Sequence, residues 1–247
     1  MTDDRSLRIE EHPDRVVVTL DRPERRNAID QAMVNELHGV CAALESEPRI
    51  LLLTGAHGVF ASGADIAELR ERTAADAHRG INDTIFDRIA ALPMPVIAAL
   101  DGYALGGGAE LAYAADLRVG TPRLRIGNPE TGLGIIAAAG ALWRLPQLVG
   151  LPLATELVLT GRILNGQEAL AAGLVSSLHE PEDLLGAAHA LADRIAANDP
   201  LATRLTKRVL RAPIAEHPAA EREAQAELFE SPEKKRRMTE FLERRSR

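Results

Sequence analysis

Gly102-Tyr103-Ala104-Leu105-Gly106-Gly107-Gly108-Ala109-Glu110-Leu111 sets three successive glycines at the entrance to a helix. In regular structure each glycine gives up about 0.5–1 kcal/mol relative to alanine, so a segment that accepts three needs bare backbone there. Just upstream, PVIAALDG from Pro95 reads as a buried strand ending in a turn. The order is therefore strand, glycine loop, helix. Past the glycines, Glu110 is the only ionisable group other than tyrosine between Tyr103 and Ala115. That helix carries no polar stripe, which predicts burial on most sides. A lone carboxylate in such a place must be paired, hydrogen-bonded or functional. A glutamate bonded to backbone or to an arginine would meet that demand, but perturbed carboxylates cluster at sites, and the functional reading is favoured.

The same grammar recurs along the chain. LRIEE and VVVTL flank His12-Pro13-Asp14-Arg15 and predict a hairpin. After the polar loop DRPERRNAID, Val34, Leu37, Val40 and Leu44 repeat at helical spacing, predicting a helix over 31–45. RILLLTG from Arg49 is a second buried strand. GAHGVFASGAD and an interrupted helical pattern from Ile66 towards Leu92 follow it. LRVG and RLRIG are short strand candidates, and NPETGLGIIAAAGALWRL is a loop entering a helix. Residues 151–172 read as mostly helical, LVSSL as one more short strand, and the chain beyond Pro181 as helices with charged faces. This recurrence predicts an α/β body with a helical C-terminal part.

A chain of 247 residues holds one large domain, or a medium and a small one, and buries a core without staples. Hydrophobic residues at 46% and charged residues at 26% are those of a globular protein, and only 3% aromatic residues leave the core to Ala, Leu, Ile and Val. The net charge of −7 argues against a nucleic-acid partner, which needs a basic footprint. A local cationic patch for a small phosphorylated ligand remains compatible with it. Cys41 stands alone, which excludes an intrachain disulfide or a cysteine zinc cage and suits a reducing, cytoplasmic setting. The opening MTDDRSLRIEE is unlike a secretory signal, and no apolar run reaches the ~18–20 residues of a membrane helix, so no membrane insertion is expected. The seven histidines are scattered without a metal-binding pair, and no metal site is predicted. Dinucleotide, P-loop, zinc-protease and nucleophile-elbow signatures are all absent.

Two further segments could carry chemistry, although each taken alone reads more simply as an ordinary loop. Ala61-Ser62-Gly63-Ala64-Asp65-Ile66 lies between a strand and a helix start, where free N–H groups point outward. Taken alone it is also an ordinary strand-to-helix loop with Asp65 near the cap. In Ile126-Gly127-Asn128-Pro129-Glu130-Thr131-Gly132-Leu133-Gly134, Pro129 pins the backbone just before Glu130. An exposed turn glutamate is the competing reading of that loop.

RPERRNAID, ASGADI, GYALGGGAEL, NPETGLG, GRILNGQEALAAGLVSSL and LFESPEKKRRMTEFLERR, in this order and spacing, resemble the crotonase family, also called enoyl-CoA hydratase/isomerase, over nearly the whole chain. The resemblance implies a crotonase-type spiral of ββα units over 1–185, which carries the active site. It also implies a helical C-terminal trimerisation region over 186–247, with assembly as a homotrimer or homohexamer. It places an oxyanion hole on the backbone N–H groups of Ala64 and Gly107 and hydratase glutamates at Glu110 and Glu130. Glu110 would be the base that activates water and Glu130 the acid that protonates Cα. Arg25, Arg26, Ala28, Ala61, Gly63, Asp65, Ile66, Gly106, Pro129 and Ala138 would line the acyl-CoA thioester, with Arg25 standing in for a lysine at the position of Glu24. Lys234, Lys235, Arg236 and Arg237 offer further cations for phosphate, although they also read as a solvated helix face. Coenzyme A would enter as part of the substrate, without a separate cofactor.

One stretch departs from the family pattern. Ala137-Ala138-Ala139-Gly140-Ala141-Leu142 and Trp143 stand where many hydratases carry a Pro-Gly-Ala-Gly-Gly-Thr-like run. Ala138 replaces a glycine whose amide faces the site, adding a methyl group and disfavouring φ > 0. Trp143 replaces a smaller polar residue, so both changes bear on the acyl pocket. The expected reaction is syn hydration of a trans-2-enoyl-CoA. The alternatives are Δ3-Δ2-enoyl-CoA isomerisation or another reaction of this family, and non-catalytic acyl-CoA binding.

Overall fold

The computed structural model describes residues 5–245. β1 (Leu7–Glu11) and β2 (Arg15–Leu20) form the hairpin, and α1 (Gln31–Ser46) leads into β3 (Ile50–Gly55). α2 (Ile66–Glu71), α3 (Ala74–Arg79) and α4 (Ile81–Ala91) precede β4 (Val96–Leu100), β5 (Tyr103–Leu105) and α5 (Gly107–Ala114). β6 (Leu117–Gly120) and β7 (Arg125–Gly127) are followed by α6 (Ala141–Val149), α7 (Leu151–Thr160), β8 (Ile163–Asn165) and α8 (Gly166–Ala171). α9 (Leu184–Ala196), α10 (Pro200–Leu210), α11 (Ala219–Phe229) and α12 (Pro232–Arg245) complete the order.

The larger sheet runs β1-β2-β3-β4-β6, with β1 antiparallel to β2 and the other pairs parallel. Alternation along each strand assigns its two faces. Val16, Val18, Leu51, Leu53, Val96 and Ala98 face the main core with α1, α4 and α5. Val17, Ile50, Leu52, Ile97, Ala99 and Val119 face the other way, against Leu184, Ala188 and Ala192 of α9. Cover on both sides explains why these strands read as continuous apolar runs.

A second layer holds β5-β7-β8, extended by single parallel bridges between Ala61 and Ala104 and between Ile29 and Ala64. Each turn of chain thus lays one strand in the large sheet, one extended segment in the small layer, and then a helix. β2, Ile29 and α1 make the first turn, and β3, Ala61 and α2 the second. β4, β5 and α5 make the third, and β6, β7 and α6 the fourth. This is the expected ββα spiral, and it stacks the ends of the short segments at 61–64, 105–107 and 127–130.

Two local expectations fail. LVSSL is not a strand: only Leu178 bridges Gly120, while Leu174 and Val175 are apolar because they fill the main core. The missing strand is β8, antiparallel to β7 and three residues long, too short for periodicity to reveal inside a helical stretch. The boundary expected at 185/186 falls inside α9, whose first buried residue, Leu184, seals the sheet. By contrast, α12 buries none of its residues.

Candidate active site

Backbone proximity builds the site before any side chain does. Leu105 N–H donates to Ala61 O at 3.0 Å, and Gly106 N–H to Gly127 O at 2.9 Å, tying the three short segments together. Gly106 turns the chain into α5 with φ of 51°, where a Cβ would stand 3.0 Å from Glu130 Oε1. At Gly108 a Cβ would fall 2.4 Å from Ala61 O, so the first turn of α5 lies against segment 61–64 without room for a side chain. The glycine run is the consequence of that packing.

Ile29 N–H donates to Gly63 O at 2.8 Å and Asp65 N–H to Ile29 O at 3.0 Å, and the Ala64 N–H between them has no acceptor among the described residues. Gly107 is the first residue of α5, so its N–H has no intrahelical acceptor either. A Cβ on Gly107 would stand 3.4 Å from Ala64 N, so the two segments that carry these amides are in contact.

All eight residues of α5 are buried, Glu110 among them at 3% exposure. Its Oε1 accepts from Ala139 N–H at 2.7 Å and Ala141 N–H at 3.1 Å. Burial pushes its pKa up to about 7; the Glu130 charge adds to that, while the two amides and Arg144 oppose it. Glu130 is 8% exposed and begins a 3-10 turn over Glu130–Leu133. Its Oε1 accepts from Asn128 Nδ2 at 3.3 Å, and Tyr113 OH donates to Asn128 Oδ1 at 3.1 Å. Its Oε2 is buried without a protein partner. Burial raises the Glu130 pKa as well, against the pull of the Asn128 amide. Two such carboxyls favour sharing one proton.

Both glutamates line one cavity of about 570 Å³, together with Ala64, Gly107, Gly63, Ile66, Gly106, Pro129 and Ala138. The remaining expected contacts lie outside its wall. Ala61 is fully buried in the bridge to Ala104, and Ala28 is buried beneath the loop. Asp65 caps α2 by accepting from Ala67 N–H at 3.0 Å and pairs with Arg22 at 3.8 Å. These three support the site rather than line it. Arg25 and Arg26 are exposed, and their carbonyls accept from the side chain and backbone of Ser62, a residue at the cavity wall. Neither guanidinium has a protein partner among the described residues. Arg236 and Arg237, in contrast, are tied to Glu233, and Lys234 lies over Phe229.

The AAAGAL stretch resolves differently from its reading. Ala138 lines the cavity with φ outside the left-handed region, and Gly140 takes the positive value, 116°. The amides that reach Glu110 come from Ala139 and Ala141, which the sequence did not single out. Trp143 is 52% exposed, stacks on Arg144 at 4.1 Å and lines a separate cavity against α10, so it does not shape the acyl pocket. Leu133, Ile135 and Ile136 supply the apolar wall instead. Asn128 was legible as the neighbour of Pro129, but only its contact distinguishes it from a turn residue. Among the described residues no group of three His, Cys, Asp or Glu is arranged to hold a metal ion, and no helix is long and apolar enough to cross a membrane.

Known proteins share this architecture. A short-chain-enoyl-CoA hydratase from Clostridium acetobutylicum is 38% identical over 238 residues, covering 93% of this chain and 91% of the relative. A crotonyl-CoA hydratase from Syntrophomonas wolfei is 35% identical over 238 residues, covering 93% and 92%. The crystal structure of an enoyl-CoA hydratase from Bacillus anthracis superposes with a TM-score of 0.92 at 31% identity, covering 97% of each chain. The family described as Enoyl-CoA hydratase/isomerase matches residues 13–247, and the chain belongs to that family.

Proposed function

We propose that this chain is an enoyl-CoA hydratase that adds water syn across a trans-2-enoyl-CoA to give a 3-hydroxyacyl-CoA. The observation that carries the reading is the pair Glu110 and Glu130, two buried carboxyls in one apolar-walled cavity beside the unpaired amides of Ala64 and Gly107. An enoyl thioester is a modest electrophile at Cβ. Two N–H donors on the thioester oxygen draw charge off Cβ and stabilise the enolate that forms when water adds. Each such donor is worth about 2.7–4 kcal/mol of transition-state stabilisation.

One proton shared by two carboxyls balances the reaction. The ionised carboxylate takes a proton from water as its oxygen bonds to Cβ, and the neutral partner gives its proton to Cα. The division with Glu110 as base requires the shared proton to sit on Glu130 at that moment. Asn128 and Tyr113 hold the Glu130 side, and Ala139 and Ala141 the Glu110 side.

Arg25 and Arg26 are the cations we assign to coenzyme A phosphate, because they are exposed, unpaired and joined to the cavity wall through Ser62. No separate cofactor is needed. The lone thiol Cys41 is buried and free, as suits a cytoplasmic enzyme. Apolar residues left exposed on the C-terminal helices, Leu210 at 79%, Phe241 at 59% and Leu242 at 64%, support self-association as a trimer or hexamer.

The test is loss of enoyl absorbance with crotonyl-CoA and longer 2-enoyl-CoAs, read against a 3-enoyl-CoA. Hydration of the 2-enoyl series supports the reading. Conversion of only the 3-enoyl substrate makes the protein an isomerase, and tight binding without turnover makes it a binding protein.

A further inference from the structure

Asn82 has no place in the chemistry so far, yet it sits at the same spot. It is the second residue of α4, a helix that packs on α5, and only 9% of it is exposed. Its Oδ1 accepts from Arg72 Nη1 at 3.5 Å. A guanidinium only donates, so the amide oxygen must face Arg72 and the amide nitrogen must face away from it. Nδ2 then has no acceptor among the described residues. Asn82 lines the active-site cavity, so its Nδ2 is a donor free to meet a ligand in that space.

That space can be located. A Cβ built on Gly107 would meet Ala64 N at 3.4 Å and Asn82 Nδ2 at 3.5 Å. Helical Cβ atoms tilt towards the helix N-terminus, so this point lies before the first turn of α5, where its amides are exposed. That point is one bond length from Gly107 Cα, so Ala64 N and Asn82 Nδ2 both flank the residue that carries the second amide. The wall of the active-site cavity includes Arg72, Asn82, Ala64 and Gly107.

We propose that Asn82 is a further catalytic residue, whose Nδ2 donates to the thioester oxygen as a third member of the oxyanion pocket, and that Arg72 is the positioning residue that fixes the orientation of its amide. This rests on the hydratase reading above. A side-chain donor adds a neutral dipole aimed at the developing charge. Arg72 stands behind it and lends positive potential without competing for the oxygen.

Asn82→Asp is the sharpest test, because it keeps the shape and replaces the donor with an acceptor. Asn82→Leu is the second variant and removes polarity altogether. Steady-state rates with crotonyl-CoA are measured alongside the absorbance red shift of a bound 2,4-dienoyl-CoA, which reports polarisation of the thioester carbonyl. Both variants are expected to lower kcat by about 10²-fold, with KM within a few-fold, and to lose part of the red shift. Arg72→Met should shift both readouts the same way by less, and Arg72→Lys should recover part of the loss. Wild-type kcat and red shift in both Asn82 variants would overturn the assignment. A fall in thermal stability with an unchanged red shift would also overturn it, leaving Asn82 a structural residue. If the wild-type protein itself hydrates no enoyl-CoA, the hydratase reading falls. If it does and Asn82→Asp matches it, only this inference falls.

Discussion

The two walls that hold the carboxyls are built on opposite plans. Glu110 projects from α5, a helix with every residue buried, and its Oε1 is clamped by two backbone amides. Glu130 opens a short turn whose following residues are exposed, and its Oε1 accepts from a side chain, Asn128 Nδ2. Its second oxygen has no partner among the described residues. One wall therefore spends packing on fixing a carboxyl in place, and the other leaves a buried carboxyl oxygen without a hydrogen bond among the described residues. Burial raises the proton affinity of both, and the charge of each opposes ionisation of the other.

Breaking either wall should show this. Glu110→Gln and Glu130→Gln are each expected to lower kcat by about 10²–10⁴-fold. The double variant should fall little further than the worse single one, because the two act on one water. Near-wild-type turnover in either single variant would remove that glutamate from the mechanism.

Gly108→Ala attacks the packing under the Glu110 wall. Its Cβ would fall 2.4 Å from Ala61 O, so a destabilisation of about 1–3 kcal/mol is expected, visible as a Tm several degrees lower. An unchanged Tm would mean that the two segments are not in contact.

The raised pKa of Glu110 gives a pH test of both stability and rate. Its folded pKa, about 7, lies above the ordinary 4.5, so the folded protein favours the neutral form. Stability from this group is complete below pH of about 4.5 and is lost as pH rises through about 7. Glu110→Gln should flatten that part of the Tm-against-pH curve. If Glu110 is the base, kcat/KM rises through the same window, whereas a fall there assigns it the proton-donor role. Trp143→Ala should matter least, within about two-fold of wild-type kcat/KM, because the indole lies outside the cavity. A larger change would bring Trp143 back to the acyl pocket.

Much of this contrast is visible in the residues alone. The glycine run before Glu110 announces close backbone approach, and the absence of other charges in that helix announces burial. Pro129 before Glu130 announces a fixed loop. What could not be read is which groups touch the carboxyls. Ala139 and Ala141 act through their amides, and an alanine carries no mark of what its N–H does. Asn82 lies 25 residues before Gly107, in a helix whose polar positions look like surface. Trp143 looked like a pocket residue because it follows the altered stretch, yet α6 turns its ring to the opposite side.

The sequence by itself determined an α/β body and a buried carboxylate at Glu110, because apolar strands, glycine-bare helix starts and a lone charge leave local marks, while its resemblance to a known family implied the spiral and the second glutamate. Only the tertiary structure decided that segments 61–64, 105–107 and 127–130 stack, that burial raises the proton affinity of both carboxyls, and that Asn82 lines the same cavity. The reason is physical. Burial, electrostatic coupling and hydrogen-bond partners belong to groups brought together from distant parts of the chain, and no single stretch of residues carries them.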